Sequence, residues 1–379
     1  MRFALKILVP VLTGLLFFQS CKNDLKIVAP YKEIPQVYAI ITPQQSMQMI
    51  RINKIFLGEG DANVMAKQPD SVNYQAGELT VWLERYYGGA KVAAEANTGK
   101  TEVYFRDSVV QTDPGSFSTT QRVYVCNDKL FTWGSYKLSI KNNHTGNIFT
   151  ASTNAIDSMP LTFFQPFAWP YLNATPAYTP APSDPASYFI DYSNQNVQQS
   201  VRAKPVAGAY LHDLTIRVHY YDSVYPAPTA NPGGKYYHSY DYVFFPKQLT
   251  DLEEVSNNKY FIYRFSSPSL FNSVASDVMS RANPPAFVGR KLYRIDFQTY
   301  AATQEYYDFL QFSAPSLSFS QEKIIYSNFD NRAALGIFTF RSRSLVAKIP
   351  ANAFIDEFCC NKYTKNLNFY KSNLNTTCP

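Results

Sequence analysis

Five cysteines and four histidines are the residues here with the most direct chemistry, and their placement sorts them. Cys21 follows Ser20 at the end of an apolar run, Ile7 to Phe18, which a basic start (Arg2, Lys6) precedes. A basic segment, a short apolar segment and a small residue before the cut make an export signal. Cleavage before Cys21 would free its amine and thiol for lipid attachment, so Cys21 is the expected lipidation site. The apolar run is too short to cross a bilayer, which takes roughly 20 residues. Cys126, Cys359, Cys360 and Cys378 remain as candidates for disulfides in an oxidising compartment. The neighbours Cys359 and Cys360 bond each other only in a strained ring. The expected pattern therefore closes one of them to Cys378 and lets the other reach Cys126; the alternative is four buried free thiols. A tail loop of about 18 residues closed this way contributes about 3 kcal/mol. The spacing lacks paired Cys-x-x-Cys units, so no zinc site is expected.

The histidines (His144, His212, His219, His238) fall in no metal-ligand spacing. His219 and His238 are expected to face each other across a hairpin, with Asp213 and Asp241 near in sequence, and read as edge histidines between tyrosines. There is no Gly-x-Ser-x-Gly elbow and no phosphate-cradling glycine loop. The cluster Asp251, Glu253 and Glu254 reads as a solvated loop or helix start. No catalytic residue, metal or cofactor is expected, and the chain reads as non-enzymatic. Two other patterns carry chemistry. Asp-Ser followed by Val or Met occurs at 70–72, 107–109, 157–159 and 222–224, where composition leads to about one match. Ser71, Ser108, Ser158 and Ser223 are thus candidates for O-glycosylation, Ser71 and Ser223 being the two near turns. The chain also holds 29 Tyr, 28 Phe and 3 Trp, whose ring faces stack on sugars at small entropic cost. Trp169, Tyr171 and Tyr178 are the leading stacking candidates, with Trp133, Tyr236 and Tyr237 behind them; most other rings must be core.

The elements that position these residues are mainly strands. Aromatic and β-branched residues suit a half-buried sheet, and charged residues make up only 17%. Loss of residues 1–20 leaves 359 residues and takes Arg2 and Lys6 with it, so the net charge falls from +6 to +4, no argument for nucleic acid. Residues 21–35 form a polar tether. Period-2 patterns at 37–41, 50–56, 79–84, 101–109, 121–126, 135–141 and 147–153 predict a β-sandwich over 36–157. Residues 158–186 hold seven prolines among aromatic residues and read as an extended connection, since proline removes the ladder donor. A second mostly-β domain is expected over 187–379. It has a hairpin at 214–221 and 235–245, strands at 290–299, 323–327, 335–341 and 344–348, and a Cys-containing tail. Two short helices are expected, one opening at Pro268 and one from Thr303 to Phe312 whose Tyr306, Tyr307 and Leu310 face the core.

The order of these pieces resembles a family of Bacteroidota outer-membrane lipoproteins of unknown function. The resemblance rests on the Cys21 start, Val37–Phe56, Gly77–Leu83, and the Gly134-Ser135-Tyr136-Lys137-Leu138-Ser139-Ile140 strand. It extends to Tyr306–Phe312 and to Ser327-Asn328-Phe329 followed by Leu335-Gly336-Ile337-Phe338. It implies an immunoglobulin-like N-terminal sandwich and a TonB-dependent β-barrel transporter as partner. Lys22-Asn23-Asp24 resembles the signal that sends such lipoproteins to the cell exterior, and Asp-Ser-apolar resembles their O-glycosylation sequon. The expected function is a lipid-anchored outer-membrane surface lipoprotein serving a transporter or assembly as an accessory or binding subunit. The alternative is a free-standing glycan-binding or adhesive lipoprotein.

Overall fold

The structure, a computed structural model, describes residues 33–55, 64, 67–111, 113, 119–164, 189–313 and 325–371. It is mainly β, as the alternation predicts. The first half carries β1 (Pro35–Ile41), β2 (Gln48–Lys54), the one-turn helix α1 (Pro69–Val72), β3 (Leu79–Tyr87), β4 (Ala90–Val92) and β5 (Glu102–Gln111). It continues with β6 (Thr120–Cys126), β7 (Ser135–Asn142), β8 (Ile148–Asn154) and β9 (Leu161–Phe164). Next come β10 (Phe189–Ile190), β11 (Gln198–Ala203), β12 (Leu211–Val224), β13 (Lys235–Val243), β14 (Lys247–Gln248), β15 (Glu253–Val255) and β16 (Asn258–Ser266). Helix α2 (Ser267–Met279), β17 (Phe287–Ala302), α3 (Gln304–Ser313), β18 (Leu335–Pro350) and α4 (Asn352–Cys360) complete the order. Among the described residues no helix is long and apolar enough to cross a membrane.

Fourteen strands share one hydrogen-bonded sheet, in the order β13-β12-β17-β18-β1-β2-β6-β5-β3-β7-β8, with β10, β14 and β4 attached beside it. Two strands change partner midway and let this sheet fold over on itself. Glu102–Phe105 of β5 pair with β3, whereas Arg106–Gln111 pair with β6. The layers so formed face each other: Val37, Ala39, Ile50 and Ile52 share a core with Val81, Leu83, Leu138 and Ile140. Period-2 alternation puts these residues inward and Tyr38, Arg51 and Asn53 outward. β18 is the other switch. Leu335–Phe340 run parallel to β1, and Arg341–Lys348 run antiparallel to β17. The sequence pattern predicts two strands here because Arg341–Ser344 read as polar punctuation; in the structure they continue one strand. Ser327, the end of another predicted strand, makes only an isolated bridge to Gly336. The β1–β18 ladder joins the regions expected at 36–157 and 187–379 into one sheet.

Gly336 enables the switch. Its φ is +105°, and a Cβ there would lie 2.0 Å from the Val37 carbonyl oxygen. Only glycine lets the two backbones approach this way.

A second sheet, β15-β16-β11-β9, packs with the helices under β12 and β17. Ser266 caps α2 by accepting from the Ser269 amide at 3.2 Å, and Pro268 sits in its first turn. Leu270, Phe271, Val274 and Val278 bury one stripe of α2. Phe271 meets Phe354 and Phe358 of α4 at ring-centroid distances of 5.7 and 5.1 Å. Helix α4 lies in what the sequence reading treats as tail; Phe354, Ile355, Phe358 and Cys359 repeat at helical spacing and are buried. Helix α3 corrects an expectation. It buries no residue and lies on the outer surface, while Thr303 is spent on a 2.6 Å hydrogen bond with the Thr339 hydroxyl.

Candidate functional site

A cleft of about 580 Å³ opens on the outer face of β1 and β2, within the roughly 300–1,000 Å³ range of small-molecule sites. Its floor follows from strand register: Tyr38 stands opposite Arg51, and Gln36 opposite Asn53. Phe309 of α3 walls one side, and Val72 of α1 with Gln121 of β6 the other. The Tyr38 ring is 47% exposed and meets Phe309 edge-on, with centroids 5.7 Å apart.

One charge dominates the cleft. The Arg51 Nε donates to Asn53 Oδ1 at 2.8 Å, and the Asn53 amide is held in turn by donating to the Val72 carbonyl at 3.1 Å. The guanidinium is therefore aimed, with both Nη groups left over. Among the described residues no carboxylate pairs with Arg51, and the Gln36 and Gln121 amides have no hydrogen-bond partner. Partial burial lowers the Arg51 pKa from its usual range, because the charged form is desolvated without compensation. Burial also raises the Tyr38 pKa, helped by Tyr306 and opposed by Arg341, so Tyr38 is a neutral donor at ordinary pH. Lys54, by contrast, is paired with Glu78 at 3.4 Å and lies 5.0 Å over the Tyr74 ring.

A second aromatic surface lies on β12, β13 and β17. Tyr221, Tyr237 and Tyr293 pack mutually at 5.7–5.8 Å. Rings this close fill the space between them and leave no cage for a ligand. The arginines beside them are answered: Arg217 grips Asp241 through two bonds of 2.6 and 2.7 Å, and Asp296 takes Arg294 at 2.5 Å, with His219 Nε2 2.9 Å away.

The predicted site residues scatter. Cys21, Trp169, Tyr171, Tyr178 and Cys378 lie outside the described residues. Two disulfide expectations are corrected: Cys126 and Cys359 are buried free thiols. Cys126 ends β6, where its sulfur accepts from the Asp128 amide at 3.2 Å. Cys359 faces the core from α4 and donates to the Tyr370 carbonyl at 2.9 Å, and burial pushes its thiol up to about 12. Cys360 is disulfide-bonded. His219 and His238 do not face each other. His219 pairs with Ser239 while His238 pairs with Tyr220, one position apart and so on opposite faces. Among the described residues no three His, Cys, Asp or Glu side chains gather for a metal. Asp251 caps a turn by accepting from the Gln248 amide at 2.8 Å, and Glu253 is gripped by Arg264. Trp133 lies against the Arg85 guanidinium, 4.0 Å away, and meets Tyr87 edge-on.

The four candidate serines are half-buried, in different settings. Ser223 is set in β12 between two paired strands, beside a buried Asp222 engaged by Arg290. It is the penultimate residue of β12, beside the turn that leads to β13, as expected, and is paired on both sides there. Ser108 lies in β5, paired with Val123. Ser71 sits in the exposed turn α1, and Ser158 in a coil after exposed Asp157.

Sequence reasoning places Arg51 and Asn53 on the outer side of a strand but does not single them out. The Arg-x-Asn spacing was the available signal; Phe309, distant in the chain, gave none. No known protein family matches this chain, and no curated protein matches it.

Proposed function

We propose that this protein is a lipid-anchored lipoprotein of the outer-membrane surface, facing the cell exterior, that works without catalysis as a binding subunit. Its anchor is Cys21, its receptor site is the β1–β2 cleft, and its partner is a TonB-dependent β-barrel transporter. The observation that carries the binding role is the cleft itself: a concave site with an exposed ring, free amides and one aimed, unanswered guanidinium. Sites with a few convergent polar groups over apolar walls are built for recognition. The anchor and the transporter rest on the N-terminal residues and the resemblance they carry.

The test is affinity purification of the tagged protein from gently solubilised native outer membranes. A stoichiometric β-barrel transporter among the recovered proteins is the expected result. A free-standing glycan binder is the second reading, favoured by the Tyr38–Phe309 ring pair, and recovery of the lipoprotein alone would select it. Retention of Cys21→Ala in the outer-membrane fraction would overturn the anchor.

A further inference from the structure

We infer that the β1–β2 cleft takes an acidic saccharide, with a sugar carboxylate on the Arg51 fork and a pyranose ring against Tyr38. The inference rests on the proposed binding role and adds the ligand's chemical class. Three observations converge. First, Arg51 presents two Nη groups in a fork whose third nitrogen is already fixed by Asn53. A guanidinium fork matches a carboxylate in a bidentate way, and its orientation is set before the ligand arrives, so little entropy is lost on binding. Second, Arg51 is exposed and has no carboxylate partner among the described residues, so its fork is free to take an anionic ligand. The protein pairs the neighbouring Lys54 with Glu78 yet leaves Arg51 open. Third, the rest of the lining suits a sugar rather than a bare anion. Tyr38 offers an exposed ring braced from the side by Phe309. Gln36, Gln121 and the Tyr38 hydroxyl supply donors and acceptors for ring hydroxyls. The volume lies within the usual range for ligand clefts.

The experiment is isothermal titration of the purified full-length lipoprotein with an α-1,4-linked tetragalacturonate and with its fully methyl-esterified counterpart. The two share rings and linkages and differ in charge. The acid is expected to bind at least about 10-fold more tightly, the usual worth of a charge-assisted bond. Arg51→Gln should reduce the acid to the level of the ester. Arg51→Lys, which keeps the charge and loses the fork, should restore only part of the difference. Tyr38→Ala should weaken both ligands by similar factors. Circular dichroism of each variant confirms that it is folded. Equal binding of acid and ester, or unchanged discrimination in Arg51→Gln, would overturn the acidic assignment and leave the binding role standing. Competition by acetate as effective as by the tetrasaccharide would overturn the sugar assignment. Binding of neither saccharide would overturn both, while recovery of a transporter partner separately decides the binding-subunit role.

Discussion

Two outer faces of one sheet treat charge in opposite ways. On the β12–β17 side the arginines are answered: Arg217 by Asp241, Arg294 by Asp296, and, in the interior, Arg290 by Asp222 at 2.9 Å. On the β1–β2 side Arg51 is fixed by an amide and faces open space. Paired charges hold strands in register and have little left for a ligand. An oriented, unpaired charge contributes little to folding and is available for recognition. The density of charged or aromatic residues does not distinguish the faces; whether the protein itself satisfies them does.

Substitutions break or sharpen that contrast, with effects of descending size. Arg290→Leu leaves Asp222 buried without its cation and frees the Leu367 carbonyl that Arg290 holds at 2.8 Å. It should lower stability by about 3–5 kcal/mol in urea unfolding. Gly336→Ala forces a side chain onto the Val37 carbonyl at positive φ and should cost about 2–4 kcal/mol while closing the cleft floor. Arg217→Ala removes a half-exposed pair and should cost only about 0.2–1 kcal/mol. Arg51→Gln should change the unfolding midpoint least, by less than about 0.5 kcal/mol, while abolishing ligand discrimination. An Arg51→Gln protein as unstable as Arg290→Leu would make Arg51 a structural residue and erase the contrast.

A pH test lies between the middle two in size. Burial pushes Asp213 up to about 6 from 3.8 and His212 down to about 4 from 6.5. The native state holds the Asp213 proton more tightly than the unfolded chain, so this group makes stability fall as pH rises from about 4 to 6. The native state resists protonating His212, so that group makes stability fall as pH drops from about 6.5 to 4. The slopes oppose each other in the wild type. Asp213→Asn should stabilise the protein by about 1–2 kcal/mol at pH 8 and not at pH 3.5. Its melting temperature should then decline steadily from pH 6.5 to 4; a flat profile would show that His212 is not buried as a neutral ring.

The strands were legible because alternation is local: Val37–Ile41, Leu79–Leu83 and Leu214–Tyr221 each state their buried face in a few residues. Helix α2 was legible through Pro268 and the 270/274/278 stripe. The β1–β18 ladder was not, because pairing between residues some 300 apart leaves no periodic trace in either strand. The cleft was hidden for the same reason. Arg51 becomes distinctive only when no acid stands across from it, and that is a property of register and of neighbours from four elements. The histidine pair and the Cys126 disulfide failed on facing: a shift of one position turned His238 away from His219, and Cys126 ends its strand inside the core.

Pairing the first strand with the last has a consequence for biogenesis. Val37 cannot meet Gly336 until residue 336 has been made and delivered. A chain made N-terminus first carries an exposed β1 edge until nearly all of it has been made. Such an edge invites pairing with other chains. The cleft, which includes Gly336 in its lining, comes into being only at that final closure.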